Sequence, residues 1–132
     1  MKHLIDSSVW VALFLDFDAQ HPKARQVVAR MRGIIYVPYC VLAEVVTVLA
    51  YKHSKKQADA FLDYLSDNRD IKLISDSPET EIQFYRSISH RISFTDAALL
   101  HLSKSLTAKL TTFDQQLDRI ARRGNSKTPT EP

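Results

Sequence analysis

Short apolar runs alternate with longer amphipathic segments along the chain. Four of these runs are compact and contain β-branched residues, which favours buried strands. The predicted strands are residues 2–5, 34–38, 71–75 and 108–112. Between them, apolar side chains recur every three or four residues, as they do on one face of a helix. The predicted helices are residues 9–15, 20–31, 40–52, 55–68, 78–88, 94–106 and 114–123.

A strand is followed by two helices three times in succession, and a strand and a helix then close the pattern. Strands that alternate with helices form parallel sheets whose two faces are covered by the helices. The pattern therefore predicts one α/β domain with a parallel sheet. At 132 residues the chain has the length of a single domain, which we place at residues 1–123. Residues 124–132 are polar and contain prolines, so we expect a flexible, frayed tail.

Composition narrows the functional classes only a little. Apolar residues make up 45% and charged residues 25% of the chain, the balance of a soluble globular protein. The single cysteine, Cys40, cannot form an internal disulfide, so nothing indicates an oxidising compartment. The first residues do not resemble a signal peptide, and no apolar run approaches the length, about 20 residues, that spans a bilayer. We therefore expect a cytoplasmic protein that does not enter a membrane.

The formal net charge of +3 is concentrated towards the C-terminus. Residues 1–99 carry 12 basic and 12 acidic side chains, whereas residues 100–132 carry six basic and three acidic ones. A basic surface can meet a phosphate backbone, but a solvated C-terminal helix has the same composition. Charge alone leaves both interpretations open.

Three aspartates stand at predicted element ends. Asp6 directly follows the first strand, and Asp114 follows the fourth. Ligands of open parallel sheets bind beyond the carboxyl ends of the strands, so both belong to the edge where sites form. Asp96 lies three residues after Ser93 at a predicted helix start. Each aspartate has a structural alternative as a helix cap or as part of a capping box.

Glu44 is the most unusual of the acidic residues. It is the only charged side chain between residues 40 and 50, in a helix that is apolar nearly all round. Such a helix is expected to be buried, and an unpaired buried carboxylate costs several kcal/mol. We therefore expect Glu44 to be buried and to bind a cation, the alternatives being a distant ion pair or a protonated acid.

Together the four carboxylates suggest a site for a hard cation. Mg²⁺ and Mn²⁺ prefer oxygen ligands, and a cluster of acids without a cation would repel itself. One or two such ions can activate water and stabilise charge on a phosphodiester. The residues therefore indicate metal-dependent phosphoryl chemistry without selecting RNA as the substrate.

Four segments resemble the acidic motifs of the PIN domain, in the order and spacing of that family. They are LIDSSVW, VLAEVVTVL, SFTDAALLHLS and LTTFDQQL, and the resemblance covers roughly residues 2–120. It assigns Asp6, Glu44, Asp96 and Asp114 to the acidic quartet that binds Mg²⁺ or Mn²⁺ and carries catalysis. Ser8 and Thr112 match its supporting hydroxyl residues.

The resemblance also implies a fold and an activity. The fold is a three-layer α/β/α arrangement with a four- or five-stranded parallel sheet, although the last residues here offer no apolar run for a fifth strand. The activity is endoribonuclease cleavage of RNA. Small members similar to this chain are commonly the toxin of a VapBC-type toxin–antitoxin pair, acting as a homodimer and accompanied by a small antitoxin protein.

Two other functions compete with this interpretation. A HAD-like phosphatase also places an aspartate after the first strand, but it needs a second one two residues later, where Ser8 stands. A non-catalytic PIN-like module would bind RNA or protein without cutting it, yet all four acids are present. The five histidines are scattered, with no pair at i, i+4, which argues against a histidine zinc site.

Overall fold

The computed structural model describes residues 1–125, which form four strands and seven helices. The strands are β1 (Lys2–Ile5), β2 (Ile34–Pro38), β3 (Ile71–Ile74) and β4 (Lys109–Thr111). The helices are α1 (Ser7–Phe14), α2 (His21–Ala29), α3 (Tyr39–Lys52), α4 (Lys55–Asp67), α5 (Pro78–Ser87), α6 (Phe94–Leu106) and α7 (Gln115–Asn125). Every predicted element is present in the predicted order.

The four strands form one parallel sheet in the order β3-β2-β1-β4. Helices flank the sheet, so the predicted three-layer α/β/α fold with a parallel sheet is confirmed. Among the described residues the sheet has four strands, and residues 126–132 of the predicted tail lie outside them. Because all four strands are parallel, the residues that follow them emerge at one common edge. β1 and β4 are neighbours there, which brings residue 6 next to the residues after β4.

The core lies between the sheet and its helices. Leu4 and Ile5 of β1 are fully buried. Trp10 of α1 packs edge-to-face against Phe61 and Tyr64 of α4, with ring centroids 5.4 and 6.0 Å apart. Edge-to-face pairs add to the stabilisation that burial of the rings already provides. The aromatic residues at helical spacing therefore belong to the core, as their spacing indicates.

Helix ends differ from the predictions by one or two residues, and the differences have local causes. α1 begins at Ser7 and not at Val9, because Asp6 caps it and both serines join its first turn. α2 ends at Ala29 and not at residue 31. α7 extends to Asn125, two residues beyond the predicted end at residue 123. Within the part of the chain that the structure describes, no helix is both long and apolar enough to cross a membrane.

Candidate active site

Asp6 lies where β1 passes into α1, and three hydrogen bonds hold its carboxylate. The side chain is buried. Its Oδ1 accepts from the backbone N–H of Ser7 at 2.8 Å, which makes Asp6 the N-cap of α1. Its Oδ2 accepts from the hydroxyls of Ser8, at 2.9 Å, and Thr112, at 2.7 Å. Both residues predicted to support the site therefore contact Asp6 directly.

The same two hydroxyls fix the loop that follows β4. Thr112 Oγ1 accepts from the backbone N–H of Asp114 at 3.0 Å while it donates to Asp6. Ser8 Oγ accepts from the backbone N–H of Phe113 at 3.2 Å and also donates to Asp6. Each hydroxyl is thus both donor and acceptor, and the resulting network ties the two strand ends together.

Asp114 uses one of its carboxylate oxygens as a helix cap. Its Oδ1 accepts from the backbone N–H of Leu117 at 2.9 Å, at the start of α7. No hydrogen bond to Oδ2 is formed by the residues that the structure describes, and the residue is exposed. A carboxylate offers two oxygens and about four lone pairs, so a cap and a ligand role are compatible in one side chain. Asp6 and Asp114 therefore do cap helices, and neither cap prevents the carboxylate from binding a metal ion.

Glu44, in the second turn of α3, reaches across to α1. Its Oε1 accepts from the Ser7 hydroxyl at 2.8 Å. The prediction that Glu44 is buried was wrong, because the residue is exposed. α3 buries only one stripe, which consists of Val41, Val45 and Leu49. Glu44 lies at the border of that stripe, where water reaches it although its neighbours in sequence are apolar.

Ser7 is a site residue that the sequence analysis missed. It is buried, its backbone N–H donates to Asp6 and its hydroxyl donates to Glu44. It therefore links two of the four acids through one residue. The available signal was its position directly after Asp6, in the first helical turn, where backbone N–H groups have no partner within the helix.

Asp96 lies in the first turn of α6, whose N-cap Ser93 accepts from the backbone N–H of Asp96 at 3.0 Å. Partial burial first, and then the negative charges of Asp6 and Asp114, raise the pKa of the Asp96 carboxyl to about 6. The Ser93 hydroxyl lowers this pKa, and the charge of Glu44 contributes a smaller rise. The structure thus brings Asp96 within electrostatic range of the other three predicted site residues.

The donor chemistry of this cluster fits a hard divalent cation. All four side chains are carboxylates, and the two ion pairs described within residues 1–123, Lys55–Asp59 and Arg122–Asp118, involve none of them. A cation would relieve the repulsion that Asp96 experiences. The cluster is open, however: within residues 1–125, no three His, Cys, Asp or Glu side chains are arranged closely enough to hold a metal ion.

Cys40 does not take part in this chemistry. Burial first, and then the carboxylates of Asp76 and Glu81, raise the pKa of its thiol to about 11. A thiol with this pKa stays protonated at neutral pH and is a poor nucleophile. Cys40 is partly buried and packs against the core. The HAD-like alternative also gains no support, because the side chain two residues after Asp6 is the Ser8 hydroxyl, which donates to Asp6.

Two solved structures share this fold at low sequence identity. VapC20 of Mycobacterium tuberculosis, described as a sarcin-ricin loop cleaving toxin, superposes with a TM-score of 0.80 and 21% identity, covering 91% of this chain and 95% of that one. A chain of VapBC2 from Rickettsia felis, a structure bound to a DNA fragment from its promoter, superposes with a TM-score of 0.67 and 17% identity, covering 91% and 93%. A comparison with curated protein sequences gave no significant match.

The family is shown by the sequence itself. The model of the PIN domain matches residues 3–123, which include all four acidic residues of the cluster and nearly the whole length of the chain. The resemblance of the four short acidic motifs is therefore confirmed over the full domain, and this chain belongs to the PIN domain family.

Proposed function

We propose that this chain is a metal-dependent endoribonuclease that hydrolyses phosphodiester bonds in RNA and acts as the toxin of a toxin–antitoxin pair. The observation that supports the proposal is a hydrogen-bond network at one sheet edge of a PIN domain. In it Thr112 joins Asp6 to Asp114 and Ser7 joins Asp6 to Glu44, while burial and then the neighbouring charges raise the pKa of the Asp96 carboxyl. Asp6, Glu44, Asp96 and Asp114 would hold one or two Mg²⁺ or Mn²⁺ ions. When bound, these ions supply Lewis-acid activation of water and charge stabilisation at the phosphate.

Side chains around the four acids hold the carboxylates in position. Ser8 and Thr112 hold Asp6 Oδ2 from two sides, so that this carboxylate keeps one orientation. Ser7 holds Glu44 towards the same edge. Asp114 keeps Oδ1 in the cap of α7 and offers Oδ2 to the site. Asp96 is partly buried and experiences the negative charges of the other acids, and a bound cation would relieve that repulsion.

The toxin role and its partners rest on the two structural neighbours, one described as a toxin and one as a VapBC complex. A small antitoxin protein and a second copy of the chain, forming a homodimer, are the partners that we propose. Exposed apolar side chains support a protein-binding surface: Tyr39 is 59%, Leu73 59% and Ile82 46% exposed. Size-exclusion chromatography with light scattering measures the dimer directly.

The experiment is cleavage of single-stranded and structured RNA by the purified chain with Mn²⁺, with Mg²⁺ and with EDTA. We expect endonucleolytic products with either metal and none with EDTA. Asp6→Asn should be inactive, and production of the wild type alone should slow growth, whereas Asp6→Asn should not. Cleavage that survives both EDTA and Asp6→Asn would come from another mechanism or from a contaminating nuclease.

A second candidate is a non-catalytic PIN-like module that binds RNA or protein. The open arrangement of the acidic residues favours it, because no metal-binding group is already assembled among residues 1–125. Titration with Mn²⁺ separates the two functions before any cleavage is measured. A metal-binding protein should gain thermal stability with Mn²⁺, and Asp96→Asn should lose that gain, whereas the non-catalytic module should respond to neither.

A further inference from the structure

A cavity with basic side chains around it lies at the opposite end of the sheet from the acidic cluster. Its volume is about 410 Å³, and the C-terminal part of α2 faces β1 and β4 across it. Arg30, Arg32 and Lys109 are among the eight residues that line it, and none of those eight is acidic. The cavity is therefore a concentration of positive charge in a chain whose catalytic edge is negative.

The floor of this cavity continues along β4 towards the acidic cluster. The parallel register pairs His3 with Lys109 and Ile5 with Thr111. Paired residues point to the same face of a sheet, and alternate residues of a strand share a face. Lys109, Thr111 and, just beyond the strand end, Phe113 therefore follow one another on the α2 side. Thr111 is adjacent in sequence to Thr112, the residue that donates to Asp6.

The wall is provided by α2, which carries basic residues at both ends of the same path. Lys23 Nζ lies 5.1 Å from the centre of the Phe113 ring, at the end next to Asp114. Val27 and Arg30, four and seven residues later, fall on the same helical face and line the cavity. Nine residues of helix span about 13 Å. We call this path, bounded by Lys23, Val27, Arg30, Lys109, Thr111 and Phe113, the α2–β4 groove.

The cationic groups in the groove are available to a ligand. The ion pairs described within residues 1–123 involve neither Arg30 nor Lys109. The guanidinium of Arg32, in contrast, donates to the carbonyls of Ala29 and Met31 and helps to close the end of α2. The exposed positions of Arg30 and Lys109 allow both to reach a bound anion.

His3 supplies an independent indication that the cavity receives a ligand. The side chain is 5% exposed and lines the cavity. Its Nε2 donates to the carbonyl oxygen of Arg32 at 2.9 Å, since a carbonyl can only accept. Its Nδ1 is buried and has no hydrogen-bond partner among the described residues. A buried polar atom without a partner is unfavourable, and a hydroxyl of a ligand or a bridging water that donates a hydrogen bond to Nδ1 would satisfy it.

We propose that the α2–β4 groove binds the phosphate backbone of the RNA strand on one side of the cleavage site. The inference rests on the proposed ribonuclease function and adds the path of the substrate. Lys23 would contact the phosphate nearest the acidic cluster, and Arg30 and Lys109 would contact phosphates further along. Such contacts carry no base information, so the groove contributes affinity and register but not sequence preference.

The test compares two double variants that remove the same charge. Arg30→Ala with Lys109→Ala removes two positive charges from the groove, while Lys56→Ala with Arg69→Ala, also exposed, removes two charges elsewhere. Binding of a fluorescent 12-nucleotide RNA is measured in EDTA between 50 and 300 mM salt. We expect the groove variant to bind on the order of tenfold more weakly at low salt, with a log–log salt slope shallower by about 1.4, and the control to match the wild type.

Cleavage with Mn²⁺ then separates substrate binding from chemistry. On the 12-nucleotide RNA the groove variant should show a KM raised on the order of tenfold with little change in kcat. On a dinucleotide, which cannot reach the groove, it should equal the wild type.

The possible failures differ from one another. A wild type that cleaves RNA while both double variants bind it equally well overturns the groove and leaves the proposed function intact. A wild type that neither binds nor cleaves RNA overturns the function and the groove together. Groove-dependent RNA binding without cleavage supports the groove and assigns the chain to the non-catalytic module. Binding of poly-glutamate that depends on Arg30 and Lys109, with RNA binding unaffected, assigns the groove to an acidic polypeptide and overturns the proposal.

Discussion

Thr112 donates a 2.7 Å hydrogen bond to the buried carboxylate of Asp6, although the two residues are 106 positions apart in sequence. The same oxygen of Thr112 accepts from the backbone N–H of Asp114 at 3.0 Å. One hydroxyl therefore sets the distance between the first and the last acid of the cluster. Its removal should affect both acids at once.

Thr112→Val keeps the shape of the side chain and removes the hydroxyl. We expect a loss of about 1 to 2 kcal/mol in the free energy of unfolding, because a buried acceptor and a backbone donor lose their partner. RNA cleavage should fall by at least roughly tenfold as Asp6 and Asp114 lose their fixed spacing. Thr112→Ser, which retains the hydroxyl, should recover most of both. A valine variant that is as active as the wild type would remove Thr112 from the site.

Glu44→Gln tests the acid whose exposure was unexpected. Glu44 is exposed and accepts one hydrogen bond from Ser7, which glutamine can also accept. The variant should therefore keep the stability of the wild type within about 0.5 kcal/mol. If Glu44 is a metal ligand, cleavage should fall by on the order of a hundredfold and the concentration of Mn²⁺ needed for half-maximal activity should rise. Asp63→Asn, an exposed acid on α4, is the matched control and should change neither.

The fold could be predicted because the spacing of apolar residues along a whole strand or helix reflects which of its residues are buried. Strands such as Ile34–Pro38, buried or half-buried at every position, stand out as short apolar runs, and the helices between them show their own period. Asp6 and Asp114 could be placed together for the same reason, since the ends of parallel strands share an edge. Their role as ligands stays a prediction.

Local packing around Glu44 and Ser7 could not be predicted in the same way. The apolar residues of α3 suggested burial all round, but only the stripe through Val41, Val45 and Leu49 is covered. Which part of an apolar helix meets the core depends on its angle to the sheet, and spacing does not report that angle. Ser7 and Glu44 are 37 residues apart in sequence and lie on different helices, so their contact depends on the same angle.

The C-cap of α6 offers a prediction about stability alone. Thr107 has φ 53° and ψ 51°, the left-handed conformation that costs a β-branched residue about 1 kcal/mol and costs glycine little. Thr107→Gly should therefore raise the free energy of unfolding by about 0.5 to 1 kcal/mol. Ser105→Gly, two residues earlier within the exposed face of the helix, should lower it by about 0.5 kcal/mol. Urea denaturation of both variants checks the opposite signs.

The raised pKa of Asp96 makes the stability of the metal-free chain depend on pH. Its folded-state pKa is about 6, above its ordinary value of 3.8, first because of partial burial and then because of Asp6 and Asp114. The folded state thus holds the proton more tightly than the unfolded state does. This contribution to stability is fully present below about pH 4 and is lost as the pH rises through 6.

Asp96→Asn should remove the contribution of Asp96 to this pH dependence. We expect the difference in unfolding free energy between variant and wild type, measured in EDTA by urea denaturation, to move in favour of the variant between pH 4 and pH 7. The shift of the pKa sets a ceiling of about 3 kcal/mol, and solvent around the half-buried side chain reduces the expected change to about 1 kcal/mol. The slope is more informative than the absolute value, because asparagine also removes a charge that favours the first turn of α6 at neutral pH. At pH 7, Mn²⁺ should raise the free energy of unfolding of the wild type and leave that of Asp96→Asn unchanged. A difference that stays constant from pH 4 to pH 7 would mean that Asp96 does not experience the other carboxylates.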